Sequence, residues 1–120
     1  PDDEPLYAHL VSRLDRLKLA YLHLVHLGNE RLLRDIRARW SGILLVLRAG
    51  RPLSGLSADL DTGIADIVPV GRWGIANPDF VERLRLGAPI AEADPSAFYT
   101  GGAKGYIDYP TLRPPMSAVA

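Results

Sequence analysis

The sequence predicts an α/β fold with parallel strands, namely the last three strands and the flanking helices of an eight-stranded βα barrel. Three observations support this prediction. Segments of helical periodicity alternate with short apolar segments in the order α-β-α-β-α-β-α. The connections contain only a few residues, as in right-handed βα units. The chain has 120 residues, about half of the roughly 250 in a complete barrel, so only part of a barrel fits.

The first half of the chain supplies two helices and two strands. Residues 4–18 form the first predicted helix, because leucines recur there every three or four positions. Residues 19–27 are mostly apolar, which favours a strand buried on both faces, although periodicity alone leaves a helix open. Residues 30–40 form the second helix, capped by Asn29, and residues 43–47 form the second strand. The predicted buried stripes are Leu6, Leu10, Leu14 and Leu17 in the first helix and Leu33, Ile36 and Trp40 in the second.

The second half supplies the third strand and the last helix. Residues 53–62 are a short helical segment, and residues 64–70 form the third predicted strand. The last helix begins at Pro78, is capped by Asn77 and ends at Gly87. Its predicted apolar face consists of Phe80, Val81 and Leu84.

The chain is predicted to divide into two parts. Residues 4–87 form a partial βα barrel of three βα units plus a leading helix, and residues 88–120 form an irregular C-terminal segment. This segment is rich in proline and glycine but also contains four aromatic residues. A disordered tail is poorer in aromatic residues, so we expect it to pack on the barrel at least as far as Tyr109.

Composition excludes several classes of function. Fourteen basic residues balance fourteen acidic ones, which gives no electrostatic footprint for nucleic acid or an anionic membrane. The absence of cysteine excludes disulfides and thiolate chemistry. No apolar run approaches the ~18 residues of a membrane span, and the N-terminus does not read as a signal peptide. We expect a cytoplasmic protein and, because the chain begins with proline rather than methionine, a piece of a longer one.

The best candidate site is the stretch DIVPVGRWGIANPD, residues 66–79. Glycine lets a backbone approach a ligand closely, a guanidinium offers a fixed fork of donors, and the start of a helix offers free amide groups. Gly71 and Arg72 are therefore candidates for binding a phosphate, helped by Gly50 at the end of the second strand. The alternative is a tight turn in which Arg72 is paired with a carboxylate, and the residues alone favour neither.

The other candidate residues have structural explanations. His9 is expected at the surface, whereas His23 and His26 are expected to be partly buried and hydrogen-bonded. The two lie three apart in a strand, so they face opposite sides and cannot share a metal ion; no metal site is predicted. Asp66 is expected to be structural. Tyr99, Tyr106 and Tyr109 in the C-terminal segment either line a site or anchor the segment. The anchoring role is favoured for Tyr106 and Tyr109.

Several motifs carry a family resemblance. These are GR-x-x-IANPD, RLRLGAP and FY-x-GG-A-x-GY-x-DYPTL, together with LYAHLVSRLDRLKLAYLHLV near the N-terminus. Over residues 4–112, and least strongly in the middle, the sequence resembles the C-terminal part of the old yellow enzyme family. Members of this family are FMN-dependent ene-reductases with a βα barrel.

The resemblance implies a function and a set of site residues. In the family, NAD(P)H delivers a hydride to FMN, which passes it to the β-carbon of an enal, enone or nitroalkene. Gly71 and Arg72 match the Gly-Arg that holds the FMN phosphate, and Gly50 matches a glycine whose backbone also meets the phosphate. Tyr99 matches an aromatic residue that reaches over the flavin and substrate. No residue here matches a catalytic role, so the chain alone is expected to be inactive.

The sequence also departs from the family pattern near the flavin. Pro69 lies within the predicted third strand, where it removes a hydrogen-bond donor. An alternative is therefore a flavin-free piece of a barrel that forms a homo-oligomer, or associates with a chain carrying the missing strands through its open sheet edges. The other departures are Arg48, Ala49, Arg51, Pro52, Trp73 and Gly74.

Overall fold

The computed structural model describes residues 3–99 and 102–112, and the chain divides into two compact units, residues 1–69 and 70–120. The first unit is α/β with parallel strands, which confirms the predicted class. Two 3-10 turns, Leu53–Gly55 in the first unit and Pro95–Ala97 in the second, accompany the regular elements. The regular elements are α1 (Glu4–Asp15), β1 (Tyr21–His26), α2 (Glu30–Arg39), β2 (Ile43–Arg48), α3 (Ala58–Asp61), α4 (Gly71–Ala76) and α5 (Phe80–Leu86).

The first unit is built on a parallel pair of strands covered by helices. β1 and β2 pair from Tyr21 opposite Ile43 to His26 opposite Arg48. Asn29 caps α2 as predicted, because its side chain accepts a hydrogen bond from the Leu32 amide at 3.0 Å. The predicted α2 stripe is confirmed in the core, which consists of Val11, Leu33, Ile36, Trp40, Leu44, Val46 and Ala65.

The predicted third strand is wrong within the described residues. Residues 64–70 contribute only one isolated parallel bridge, between Leu45 and Ile67. The amides of Asp66 and Ile67 both donate to the Leu44 carbonyl. The two amides therefore share one acceptor, whereas in a regular strand pair successive hydrogen bonds reach successive acceptors along the partner strand. Pro69 has no amide hydrogen with which to continue it.

Two predictions of burial are also wrong. Leu6 and Leu10 are exposed on α1, where Val11 is the buried residue, and Leu17 is exposed in the turn that follows the helix. β1 is not buried on both faces, because its residues alternate between exposed and partly buried positions. An alternating pattern is typical of a sheet covered on one face.

The predicted helix over residues 53–62 is replaced by two shorter elements. A 3-10 turn occupies Leu53–Gly55 and α3 occupies only Ala58–Asp61. Gly63 ends the segment with a φ of +71°, a conformation that glycine adopts without steric cost. The short α3 nevertheless supplies the buried carboxylate of Asp59.

The second unit contains α4 and α5 and differs from the prediction at both helix starts. α4 begins at Gly71, where a loop was expected, and α5 begins at Phe80 rather than Pro78. Asn77 does not cap α5, because its buried side chain bonds Trp73 and Ala91 instead. The predicted apolar face is confirmed at Phe80 and wrong at two positions: Val81 and Leu84 are exposed.

The C-terminal segment has little regular structure where it is described. The Tyr109 hydroxyl oxygen accepts a hydrogen bond from the Asp94 amide at 2.9 Å, a contact within the segment, so its predicted role in anchoring the segment on the barrel stays a prediction. Tyr106 is 64% exposed and does not anchor it. The division into residues 4–87 and 88–120 stays a prediction. None of the helices in the described ranges combines the length and the apolar character that a membrane crossing requires.

Candidate functional site

In the first unit, the carboxyl ends of β1 and β2 carry His26 and Arg48. The two are partners in the strand register, so both side chains lie at one edge of the sheet. β2 then leads into a turn of four residues, closed by a hydrogen bond of 3.3 Å from the Arg51 amide to the Arg48 carbonyl. Gly50 in this turn has a φ of +75°, which favours glycine. The predicted candidate Gly50 therefore lies in a tight turn at the carboxyl edge.

Arg48 binds two carboxylates at this edge. Its Nε and Nη2 atoms donate hydrogen bonds to Asp59 at 2.7 and 2.9 Å. Nη1 and Nη2 also donate to the two carboxylate oxygens of Glu30, the second at 3.1 Å. These hydrogen bonds raise the pKa of Arg48 above its ordinary value, so its charge is permanent. Arg48 therefore links the end of β2 to the starts of α2 and α3.

Asp59 binds a second arginine as well. Arg51 donates to its two oxygens at 2.8 and 3.4 Å, and Asp59 is only 3% exposed. The hydrogen bonds from Arg48, with a smaller contribution from Arg51, hold the pKa of the Asp59 carboxyl below its usual value against the opposing effect of burial. Neither Asp59 nor Glu30 is among the site residues predicted from the sequence. An arginine ending an apolar strand does predict a carboxylate partner, but the sequence does not identify which one.

Replacing Asp59 by asparagine is expected to lower the free energy of unfolding by about 1–2 kcal/mol at pH 7. The folded pKa of Asp59 lies below the unfolded value of about 3.9, so its contribution is present above that pH. It is lost as the pH falls through the folded pKa. Urea unfolding of the wild-type protein and Asp59→Asn between pH 7 and pH 3 measures the difference, which is expected to shrink below about pH 4.

The matched control for this experiment is Asp35→Asn. Asp35 forms an ion pair of 2.8 Å with Arg39 on the surface of α2, and exposed pairs of this kind contribute little. Equal stability of the wild-type protein and Asp59→Asn at pH 7 would contradict the prediction. A stability difference that widens as the pH falls would contradict it too.

His26 belongs to the same network. Its side chain is 9% exposed, and its Nδ1 lies 3.3 Å from Nη1 of Arg48. Because a guanidinium only donates, Nδ1 accepts and the neutral ring carries its proton on Nε2. Nε2 has no hydrogen-bond partner among the described residues, since Glu30 is 3.6 Å away. The predicted partly buried, hydrogen-bonded role is therefore confirmed for His26.

The other two histidines lie at the surface. His9 is exposed, as predicted, and His23 is exposed too, so the prediction of partial burial is wrong for His23. The alternation of burial along β1 places His23 and His26 on opposite faces. Within the described ranges, no group of three or more histidine, aspartate or glutamate side chains could hold a metal ion.

In the second unit, Gly71 and Arg72 open α4. A Cβ atom added to Gly71 would meet no atom within 4 Å, and its φ is not positive. Neither packing within the described chain nor backbone conformation therefore requires glycine at this position. The amides of Gly71 and Arg72 have no hydrogen-bond partner in the part of the chain that the structure describes. The position has the open space and free donors that a bound anion needs.

Arg72 is exposed and has no carboxylate partner among the described residues. Its guanidinium carbon instead lies 4.7 Å from the centroid of the Trp73 ring. A cation above an indole ring is attracted to it, and Trp73 is itself buried. The salt-bridged alternative for Arg72 is thus not found in the described residues, and the cation remains available to a ligand.

Asn77 and Asp79 fix the segment that follows α4. The Asn77 side chain donates to the Trp73 and Ala91 carbonyls at 2.8 and 2.9 Å and accepts from the Ala91 amide at 2.8 Å. Asp79 accepts from the Leu112 amide at 2.7 Å and from Arg83 at 2.6 Å. The Leu112 amide, followed by Arg83, lowers the pKa of the Asp79 carboxyl. The asparagine and aspartate of the IANPD motif therefore hold the C-terminal segment.

The remaining predicted residue, Tyr99, is 99% exposed. Its ring meets the Phe98 ring edge to face, with centroids 6.3 Å apart. Gly71 and Arg72 are thus adjacent at the start of α4, and Tyr99 belongs to the same unit. Gly50 belongs to the first unit. Asp66 is structural, as predicted, because it accepts hydrogen bonds from the Leu44 amide and Arg37, both at 2.8 Å.

Comparison with known proteins gives close matches of both sequence and structure. The chain is similar to morphinone reductase in complex with tetrahydroNAD, with a TM-score of 0.83 and 41% identity, over 93% of this chain and 31% of that one. It is also similar to the old yellow enzyme from Trypanosoma cruzi, with a TM-score of 0.80 and 32% identity, again over 93% and 31% of the two chains. No protein-family model matches.

A curated relative extends these matches. A protein of Leishmania infantum, named a probable flavin mononucleotide-dependent alkene reductase, is 49% identical over 53 residues, which cover 44% of this chain and 14% of that protein. The chain spans about a third of the length of the curated relatives that match most of it, 32% and 36% in two cases.

Proposed function

Because the chain belongs to the old yellow enzyme family and is part of its βα barrel, we propose that it is the C-terminal part of an FMN-dependent ene-reductase. FMN, when bound, supplies the redox chemistry by accepting a hydride from NAD(P)H and passing it to the β-carbon of an enal, enone or nitroalkene. The chain's own contribution is to bind the phosphate of FMN through Gly50, Gly71 and Arg72. Tyr99 lies beside the flavin and the substrate in this proposal.

The observation that carries the proposal is the free guanidinium of Arg72. Arg72 has no carboxylate partner among the described residues, and its guanidinium lies against the Trp73 ring. A guanidinium presents a planar fork of donors that suits two phosphate oxygens. Arg72 therefore offsets one of the two negative charges of the phosphate dianion and orients it.

The glycines contribute their backbone. At Gly71 the space that a Cβ would fill is open, so phosphate oxygens can approach the amide groups of Gly71 and Arg72. At Gly50 the space is open as well, and the positive φ of +75° keeps a larger residue out. Both positions suit an anion that is bound by amide hydrogens at close range.

No residue of this chain is assigned to proton transfer or to orienting the alkene. The isolated chain is therefore expected to leave alkenes unreduced, and catalysis belongs to the intact protein that contains it. NAD(P)H is the hydride donor in this proposal, which is supported by the tetrahydroNAD complex of morphinone reductase. A cytoplasmic location stays a prediction.

Anaerobic titration of the intact protein tests the function. Addition of NADH or NADPH is expected to bleach the flavin absorbance, and subsequent addition of an enone such as 2-cyclohexenone is expected to restore it. The isolated chain serves as the comparison and is expected to show neither change. A folded intact protein that contains no flavin and binds none on addition of FMN would overturn the proposal.

The second candidate function is association without flavin. Within the described residues β1 pairs only with β2, so its other edge is open, and its exposed face carries Tyr21 and Val25, which are 55% and 61% exposed. Open strand edges with apolar neighbours invite pairing with another chain. The occupant in this proposal is a second copy of the chain or a chain that carries the missing strands.

Sedimentation of the purified chain tests the association hypothesis. The association hypothesis predicts a dimer or larger species, and a Val25→Lys substitution is expected to shift it towards the monomer because it places a charge on the exposed face of β1. His23→Lys on the same face is the control that removes no apolar surface. A folded, monodisperse monomer of the unmodified chain would contradict association.

A further inference from the structure

The residues at both ends of the turn that carries Gly50 bind one carboxylate, that of Asp59. Arg48 begins the turn and Arg51 ends it, and the Arg51 amide donates to the Arg48 carbonyl at 3.3 Å. The Ala49 amide donates to the His26 carbonyl at 3.4 Å, which attaches the turn to β1. The Gly50 amide, between these contacts, has no hydrogen-bond partner in the described part of the chain.

The side chains of Arg48 and Arg51 converge on Asp59. Four hydrogen bonds reach its two oxygens, at 2.7 and 2.9 Å from Arg48 and at 2.8 and 3.4 Å from Arg51. Asp59 is 3% exposed and belongs to α3. Its carboxylate is therefore held in the interior of the unit. One buried group thus fixes the positions of both ends of a turn of four residues.

The two arginines depend on Asp59 to different extents. Arg48 also binds Glu30 and His26, so it keeps partners when Asp59 is removed. Arg51 has no other side-chain partner in the described ranges. Loss of Asp59 therefore frees the second half of the turn and leaves two cations close together without their shared counter-ion.

We propose that Asp59 is a positioning residue for FMN binding, which holds the amide of Gly50 in place for the phosphate by fastening Arg48 and Arg51. This inference rests on the proposed function, because it takes Gly50 as a phosphate contact. Asp59 does not touch the ligand. Its effect passes through Arg51 and the turn, so it concerns the phosphate and not the flavin ring.

The experiment compares FMN with riboflavin, which lacks the phosphate. In the intact protein, Asp59→Asn and Arg51→Gln are each expected to weaken FMN binding about fivefold, the equivalent of one lost hydrogen bond, and to leave riboflavin binding unchanged. The double variant is expected to lose no more than either single variant, since both act through one contact. Arg51→Gln keeps the contacts between Arg48 and Asp59. Its FMN affinity therefore tests the inference even if Asp59→Asn does not fold.

The matched control is Asp35→Asn, which removes one member of the exposed pair on α2 and is expected to alter neither affinity. Unchanged FMN affinity in folded Asp59→Asn and Arg51→Gln would overturn the inference. So would an equal loss for riboflavin, which indicates general destabilisation, or tighter FMN binding, which indicates that the freed Arg51 is itself a ligand. A wild-type protein that binds no FMN overturns the proposed function as well, whereas tight wild-type binding with unaffected variants overturns this inference alone.

Discussion

Replacing Arg72 by glutamine is expected to weaken FMN binding to the intact protein by about tenfold to a hundredfold. A hydrogen bond to a charged group contributes about 1.5–3 kcal/mol, and each 1.4 kcal/mol is a factor of ten in the dissociation constant. Glutamine keeps much of the length of the side chain but loses the charge and the fork of donors. Quenching of FMN fluorescence on binding measures the constant.

The control for this experiment is Arg85→Gln. Arg85 lies on α5 in the same unit, is exposed, and has no ion pair among the described residues, so its substitution makes the same change in net charge. Its FMN affinity is expected to equal that of the wild-type protein. If Arg85→Gln weakens binding as much as Arg72→Gln does, the effect is one of overall charge, and Arg72 is not a specific phosphate ligand.

Replacing Arg83 by methionine is expected to lower the free energy of unfolding by about 3–5 kcal/mol, as for a buried pair that loses one member. Arg83 is 7% exposed and binds Asp79 at 2.6 Å. It also donates to the carbonyls of Pro89 and Pro110, both at 2.8 Å. One guanidinium thus joins α5 to two distant points of the C-terminal segment. Its loss leaves the Asp79 carboxylate without its counter-ion and the Pro89 and Pro110 carbonyls without this donor.

Urea unfolding measures the stability of Arg83→Met, and hydrogen exchange measures its local effect. The amides of Ala91 and Leu112, which are bonded to Asn77 and Asp79, are expected to exchange faster in the variant. Arg85→Met, two residues along α5, is the control and is expected to lose less than about 0.5 kcal/mol, as for a surface substitution. Equal stability of the two variants would show that Arg83 does not hold the segment.

The elements that the sequence predicted correctly are those in which local pattern and packing agree. α2 has a cap at Asn29 and apolar residues at helical spacing, and Leu33 and Ile36 are in the core. β1 and β2 are short apolar runs that end near glycine, and they pair in parallel. In these elements the local pattern points to the same structure as the packing does, so a single sequence reveals them.

The third strand shows where local pattern fails. Residues 64–70 are mostly apolar, but a strand needs hydrogen bonds along its length. Pro69, together with the start of α4 at Gly71, leaves a single bridge at Ile67. Asn77 failed as a cap for a similar reason. Its side chain has partners fourteen residues away at Ala91, and these outcompete the local role.

The site was predictable in part. Gly71 and Arg72 were selected from their residue types and from family resemblance, and the structure adds that Arg72 rests on Trp73 without a described carboxylate partner. The network around Arg48 was not selected, because its carboxylates come from Glu30 and Asp59, eighteen and eleven residues away. Contacts of this range depend on the fold, and no local pattern in the sequence specifies them.

The central claim is that this chain binds the phosphate of FMN, and the most direct test is the ratio of FMN to riboflavin affinity in the wild-type protein and in Arg72→Gln. The two ligands share the ring and differ in the phosphate, so the ratio isolates the contribution of the phosphate. We predict that the wild-type protein binds FMN more tightly than riboflavin, and that Arg72→Gln reduces this preference by about tenfold or more. Equal affinities for FMN and riboflavin in the wild-type protein, or a preference that Arg72→Gln leaves intact, would contradict the claim.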